Sequence, residues 1–379
     1  MRTAHRPVGH VALGTWGGGR FMHFGQRLDD ERLTALLRPG ADIDTILTAD
    51  VYGAGEADGV VKAAIAGLDR DTYTLIGAVG HDFYEGEREG AKGFPRFTDP
   101  RLRGPDQYAS YLREATEKSL ERSGVGHFDV LLLHNPDRAG YTSEAVWDGM
   151  SALVDAGLTK SIGVAPGPAN GFTLDVIDCF ERFGDRIDWA MLILSPMEPW
   201  PGELALAAAE RHGIDVIARV VDYGGLFWDD VEPGHRFAER DHRLFRPKGW
   251  VEAGREKLAR MRPVGERHGL TPLQLSCAWD LAHGPVTCVV PTLIQEPDGR
   301  PVEQKRAELA AVPKVSPLTA DEVAELRAIG DNHGSMLLKG ATPDHEGPAL
   351  PDRWDVDDHL RELASRWAID PARDLTKTA

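Results

Sequence analysis

Short aliphatic or β-branched runs alternate along the chain with stretches whose apolar residues recur every three to four positions. This alternation predicts parallel strands joined by crossover helices. Strands are expected near 11–14, 45–49, 73–79, 129–134, 161–164, 189–194, 215–220 and 286–291. The clearest helices are expected at 107–123, where Leu112, Ala115, Ser119 and Leu120 share a face, and at 143–156, where Val146, Met150 and Leu153 do. Gly124 and Gly157 follow them as stop signals. Thr271 before Pro272 reads as an N-cap with proline in the first turn, so another helix precedes the eighth strand. Eight strands in this rhythm predict an α/β chain folded as a (β/α)8 TIM barrel.

Two connections exceed what a minimal barrel needs, 80–105 after the third strand and 222–250 after the seventh. In a parallel barrel both leave the C-terminal strand ends, the face that carries active sites, and both are rich in aromatic and charged residues, so a lid is expected there. No internal repeat or composition break divides the chain. The expected organisation is a barrel over 1–330 and a C-terminal helical extension over 331–379 packing on it.

Composition narrows the partners. Lys plus Arg number 43 against 60 Asp plus Glu, a formal charge of −17 that repels nucleic-acid backbones and anionic membranes alike. Cys179, Cys277 and Cys288 are too few and too far apart for a disulfide framework or a CxxC metal site. No apolar run approaches the roughly 18 residues of a membrane span, and the first residues lack the apolar core of a signal peptide, so a cytoplasmic location and a small-molecule substrate are expected.

Polar residues gather where strands should end: Thr15 and Trp16, Asp50 and Tyr52, His81 and Asp82, His134 and Asn135, Asn170, Glu198, and Asp222 and Tyr223. A single such residue is usually structural or solvated. Eight parallel strand ends, however, face one small hollow, which raises the odds for the set. In the second long connection, Asp241, His242, Arg243 and Arg246 could form lid salt bridges or hold a polyhydroxylated or carboxylated substrate by bidentate contacts. His81, Asp82, His134 and Asp222 would suit a divalent metal if they converged, but no HxH or HExxH spacing supports that, and no metal is expected.

VALGTWGGG, TADVYGAGEADGVVKAAIAG, LREATEKSLERSGVGHFDVLLLHNPD, VWDGMSALVDAGLTKSIGVAP and LTPLQLSCAWDLAH followed by VVPT together resemble the aldo-keto reductase family, in that family's order, over most of residues 8–330. The resemblance implies a nicotinamide-dependent barrel in which a Tyr protonates a carbonyl, a Lys and an Asp lower that phenol's pKa, and a His orients the oxygen. Tyr52 matches the Tyr and His134 the His, whereas Leu47 stands at the Asp position and Ala78 at the Lys position. His81, three residues beyond Ala78, is the preferred replacement, with Asp82 beside it as a further acid–base candidate. Cofactor positions change too. Ala165-Pro166 replaces the Ser-Asn that would hold the carboxamide, and Gln304 and Glu308 fall where an Arg and an Asn would grip the adenosine phosphate and adenine. Lys305 and Arg306 are adjacent, and Thr15, Asn170 and Thr292 complete the candidate cofactor set.

The pattern implies acid–base chemistry, dehydration or isomerisation, on a small hydroxylated, sugar-like carbonyl compound, with NADP(H) weakened or absent. Trp16, Asp50, Asn135, Glu198, Asp222 and Tyr223 are the expected substrate contacts. Two alternatives stand beside it: an NAD(P)H-dependent oxidoreductase with rearranged cofactor contacts, and a catalytically silent barrel that binds a ligand or partner.

Overall fold

The computed structural model of the protein describes residues 8–88, 93–167, 173–333 and 356–375. Its strands are β1 (Ala12–Gly14), β2 (Thr45–Leu47), β3 (Thr74–Val79), β4 (Phe128–His134), β5 (Thr159–Ala165), β6 (Trp189–Ile193), β7 (Asp215–Arg219) and β8 (Val286–Val290). They pair in sequence order, every neighbour parallel. Val289 N–H donates to His10 O at 3.0 Å and so joins β8 back to β1, closing a (β/α)8 barrel.

The crossovers are α1 (Asp30–Leu37), α2 (Glu56–Ala64), α3 (Tyr108–Ser123), the pair α4 (Arg138–Thr142) and α5 (Glu144–Asp155), α6 (Thr173–Phe183), α7 (Leu206–His212), and α8 (Trp250–Arg267) with α9 (Pro272–Leu281). Helices α10 (Val302–Ala310) and α11 (Ala320–Gly330) follow β8, and α12 (Asp358–Arg366) and α13 (Pro371–Asp374) lie in the C-terminal stretch. The stop and start signals act as their chemistry requires. Gly124 closes α3 in the left-handed region at φ 72°. The Thr271 hydroxyl accepts from Gln274 N–H while the Gln274 side chain accepts from Thr271 N–H, which is a capping box.

Strand parity sorts the core into two layers. Leu47, Ile76, Ala78, Val130, Leu132, Met191, Ile217 and Cys288 point inward and fill the barrel, while Ile46, Leu75, Leu131, Val164 and Ala218 point outward against the helices. Each such large apolar side chain removed from water contributes about 1.5–3 kcal/mol. The same parity sets the mouth. Continuing the inward rows by one step puts His134 beyond Leu132 and Arg219 beyond Ile217.

Helix α12 packs against α6. Arg366 pairs with Glu181 at 2.6 Å, and Trp200 Nε1 donates to the carbonyl of Asp374. The described part of the C-terminal stretch therefore lies along the α6 flank. Among the described residues, no helix is long and apolar enough to cross a membrane.

Candidate active site

At the C-terminal ends of the strands lies a cavity of about 280 Å³. That is near the lower end of the roughly 300–1,000 Å³ usual for small-molecule sites. Its floor and walls bring together Trp16, Tyr52, His81, His134, Asn135, Asp222 and Thr292. The two long connections supply its rim: Arg88 and Phe94 from the first, His242, Arg243 and Arg246 from the second.

Tyr52 is wedged between rings. Its centroid lies 6.3 Å from Trp16 and 5.8 Å from His134, both edge-on. Trp16 reaches this position because Gly14 has no side chain: a Cβ there would come within 2.5 Å of the indole. The indole N–H donates to Thr292 Oγ1 at 3.3 Å, which ties the end of β1 to the end of β8. Burial pushes the Tyr52 phenol up to about 12, and the cation opposing that shift is Arg219. Arg219 sits at the end of β7, lines the cavity, and donates from Nη2 to the carbonyl of Pro166 at 2.9 Å. It thus spans from β7 to the end of β5. Burial pulls its own pKa down, and Tyr52 and Glu198 hold it up. Arg219 belongs to no motif, but inward parity from Ile217 would have found it: a charge one step beyond an inward apolar residue must face the mouth.

His81 enters as the edge of a ring, 5.2 Å from the His134 centroid. Both its nitrogens are engaged. Nδ1 faces Arg96 Nη1 at 3.0 Å and Phe94 O at 3.1 Å, and Nε2 faces the Asn135 amide at 3.2 Å. Arg96 also donates through Nε to the carbonyl of Asn135. The connection after β3 therefore folds back as a one-pair antiparallel bridge, His81 to Arg96, and locks His81 and Asn135 together. This geometry suits His81 to orienting its neighbours better than to shuttling protons.

Several expected site residues stand outside the cavity lining. The chain turns at Val51, so Asp50 faces the opposite way from Tyr52; burial, with Asp58 nearby, drives its carboxyl well above the ordinary range. Asp82 accepts from Tyr84 N–H and Glu85 N–H and pairs with Arg103, whose guanidinium lies 4.2 Å over the Tyr111 ring; it organises the connection after β3. Thr15 joins β1 to β2 through Thr48. Glu198 lies behind Arg246 at 3.7 Å, where burial raises its carboxyl to about 7. Tyr223 stacks under the same guanidinium at 4.4 Å. Asn170 lies outside the described residues.

The cofactor positions are equally instructive. Lys305 is fully buried, its ammonium paired with Asp230 and the carbonyl of Ile294 at 2.5 Å each. Arg306 is spent on Asp42 and on the carbonyls of Leu36 and Arg38, both at 3.1 Å. Glu308 accepts from Thr271 and pairs with Arg300. Asp222 lines the cavity, but its oxygens accept from Thr292 N–H at 2.8 Å and Gly225 N–H at 2.9 Å. Its carboxylate thereby occupies backbone donors at the ends of β7 and β8 of the kind that bind phosphates elsewhere. With Pro166 O held by Arg219, these residues do not fit a nicotinamide dinucleotide in the way the resemblance implies. Among the described residues, no group of three or more His, Cys, Asp or Glu is placed to hold a metal ion.

The loop after β7 is strained where it leaves the barrel. Val220, a β-branched residue, has φ 64°, and Tyr223 and Asn135 also sit at positive φ, 48° and 45°. Such conformations persist only where surrounding structure enforces them, and they gather at functional sites.

A family model, the aldo/keto reductase family, matches residues 10–331. The chain is 22% identical over 338 residues to a probable voltage-gated potassium channel subunit beta of Arabidopsis thaliana, covering 83% of this chain and 93% of that one. A glycerol dehydrogenase of Gluconobacter oxydans superposes with a TM-score of 0.65 at 21% identity, over 91% of this chain and 96% of that one. An aldo/keto reductase of Klebsiella pneumoniae, in complex with NADP and acetate, superposes with a TM-score of 0.55 at 22% identity, over 85% and 91%.

Proposed function

The chain belongs to the aldo/keto reductase family, and on that premise we propose that it catalyses acid–base chemistry, isomerisation or dehydration, on a small hydroxylated carbonyl compound, without hydride transfer. The observation that carries this reading is Arg219: the cation that answers Tyr52 comes from β7 and is anchored on Pro166, at the place where the resemblance seats a carboxamide. The glycerol dehydrogenase likeness is in keeping with a polyhydroxylated substrate.

In the proposed reaction the Tyr52 hydroxyl donates its proton to the carbonyl oxygen, and Arg219 stabilises the phenolate left behind. His134 takes the proton from the adjacent carbon, so the C–H electron pair forms the C=C bond of an enediol. Returning that proton from His134 to the former carbonyl carbon, while the hydroxyl on the adjacent carbon gives its proton to the Tyr52 phenolate and becomes the new carbonyl, completes an isomerisation and restores both side chains. In a dehydration the enediol hydroxyl on the former carbonyl carbon instead returns its proton to the Tyr52 phenolate as that carbonyl re-forms, the C=C pair shifts one carbon on and expels the hydroxyl there, and it leaves as water with the proton held by His134. No oxidant or reductant enters either balance. His81, itself held by Asn135 and Arg96, packs edge-on against the His134 ring, and Trp16 and Phe94 line the cavity beside it.

The test is solvent exchange. In D2O, without any nicotinamide, the protein should wash deuterium into the carbon beside the carbonyl of at least one small aldose or ketose in a panel read by NMR, and Tyr52→Phe and His134→Ala should each abolish it. A second reading, an NAD(P)H-dependent reductase, is favoured by the NADP held by the Klebsiella relative. Micromolar quenching of tryptophan fluorescence by NADPH, with NADPH oxidised in the presence of an aldehyde, would establish it and overturn the first.

A further inference from the structure

The cavity is rich in guanidinium groups for a chain whose formal charge is −17. Four arginines line it: Arg88, Arg219, Arg243 and Arg246. Arg243 is already neutralised, held by Asp241 at 2.7 Å and by Glu296. Arg246 is not. It is 4% exposed, packed in the corner between the rings of Tyr223 at 4.4 Å and Trp250 at 4.8 Å, and its Nη1 is buried with no hydrogen-bond partner among the described residues. The nearest carboxylate, Glu198, stands 3.7 Å from Nη2, beyond hydrogen-bond distance. Arg219 spends Nη2 on Pro166, while its Nε is likewise buried without a partner. Glu198, outside the cavity lining, is within electrostatic reach of both guanidinium groups, and burial holds its own carboxyl up at about 7, so it compensates them only in part. Both arginines line the cavity, and a buried guanidinium group whose donors are incompletely paired favours an anionic acceptor beside it, which no carboxylate among the described residues supplies within hydrogen-bond distance.

Among the described residues the one acidic side chain on the lining, Asp222, does not meet that demand, because its oxygens are turned to Thr292 N–H and Gly225 N–H. The same bonds bear on which anion fits. A phosphate usually draws on a nest of backbone N–H groups, and here Asp222 already occupies those donors. What remains on the lining is two guanidinium groups, Arg219 and Arg246, whose planar donors match the geometry of a carboxylate.

We infer that the substrate carries a carboxylate, seated between Arg219 and Arg246, with its carbonyl end toward Tyr52 and His134. This names a substrate class, small hydroxylated carbonyl acids such as uronic acids, and it rests on the proposed acid–base reading only for the second half of the sentence. The carboxylate anchors the molecule by one end, and the reacting carbons then fall at the aromatic end of the same cavity.

Matched pairs differing only in that group provide the test. Glucuronate against glucose, glycerate against glycerol, and glycolate against ethylene glycol are titrated into the full-length protein, with inorganic pyrophosphate as a separate arm. Tryptophan fluorescence serves as the readout, since Trp16 lines the cavity and Trp250 stacks on Arg246. At least one acid should bind ten-fold or more tightly than its neutral partner. Arg246→Gln should remove that preference and Arg246→Lys should keep part of it, in proteins whose thermal melts stay cooperative. Equal binding within all three pairs, or a preference unchanged in Arg246→Gln, overturns the inference. So does pyrophosphate binding more tightly than every acid, which would give the guanidinium pair to a dinucleotide. Tyr52→Phe separates the two readings. If it keeps the acid preference, the carboxylate seat stands whether or not solvent exchange was ever detected.

Discussion

Replacing Glu198 by glutamine should flatten the pH dependence of stability. In the folded protein burial lifts this carboxyl to about 7 from an ordinary 4.5. The folded pKa is the higher one, so the folded state holds its proton more tightly. The resulting stabilisation is complete below about pH 4.5 and is lost as pH rises through 7. Linkage over that interval gives a loss of about 2.5 kcal/mol between pH 5 and pH 8, an upper figure because only the single group is counted. Asp58, raised to about 6, and Asp175, raised to about 7, add losses of the same sign, but they are present in both proteins and cancel in the comparison. Urea unfolding followed by tryptophan fluorescence at pH 5, 6, 7 and 8 measures the difference, and equal m-values confirm that one transition is being compared. Wild type should lose about 2 kcal/mol more than Glu198→Gln across the series. Parallel profiles would refute the reasoning, and with it the idea that Glu198 leaves Arg246 only partly compensated.

Three further outcomes follow from particular contacts. Arg103→Met strands the buried carboxylate of Asp82 and should cost about 3–5 kcal/mol in denaturant unfolding, a change under 1 kcal/mol being inconsistent with a buried pair. Val220→Gly relieves a β-branched residue at φ 64°; a non-glycine residue held there stores roughly 1–2 kcal/mol, so the melting temperature should hold or rise while solvent exchange falls, and a sharp drop in melting temperature would show that Val220 is not strained. Gly14→Ala drives a Cβ to 2.5 Å from the Trp16 ring; it should cost about 1–3 kcal/mol and shift the tryptophan emission, and an unchanged spectrum would place the indole elsewhere.

The barrel was legible because short continuous apolar runs, glycine stops and the Thr271 cap all favour the same elements, and eight parallel strands have few ways to close. Tyr52 and His134 could be picked out because DVYGAGE and LLLHNPD match the family's motifs, and His134 also continues the inward row of β4 beyond Leu132. Asp50 could not: its place two residues before Tyr52 suggests a shared face, but the turn at Val51 ends the strand geometry on which that spacing depends. Asp82 and Lys305 look available in a sequence and are consumed in the fold by Arg103 and Asp230, partners 21 and 75 positions away, which no local pattern announces. Arg219 was hidden for a different reason. An arginine closing an apolar run reads as the point where a strand reaches water, and only counting two residues on from the inward-facing Ile217 shows that it turns toward the mouth instead.

Asp222 gives the barrel a tethered competitor. Any diffusing anion that sought the amides of Thr292 and Gly225 would contend with a carboxylate whose effective concentration is set by a few bonds of backbone, in the millimolar range or above even for a flexible tether. Raising the concentration of such a ligand in the cell does little against an occupant that never leaves. Occupancy of those amides is therefore decided by the gene rather than by supply, and a single codon change at 222 is the shortest route by which it could be handed back.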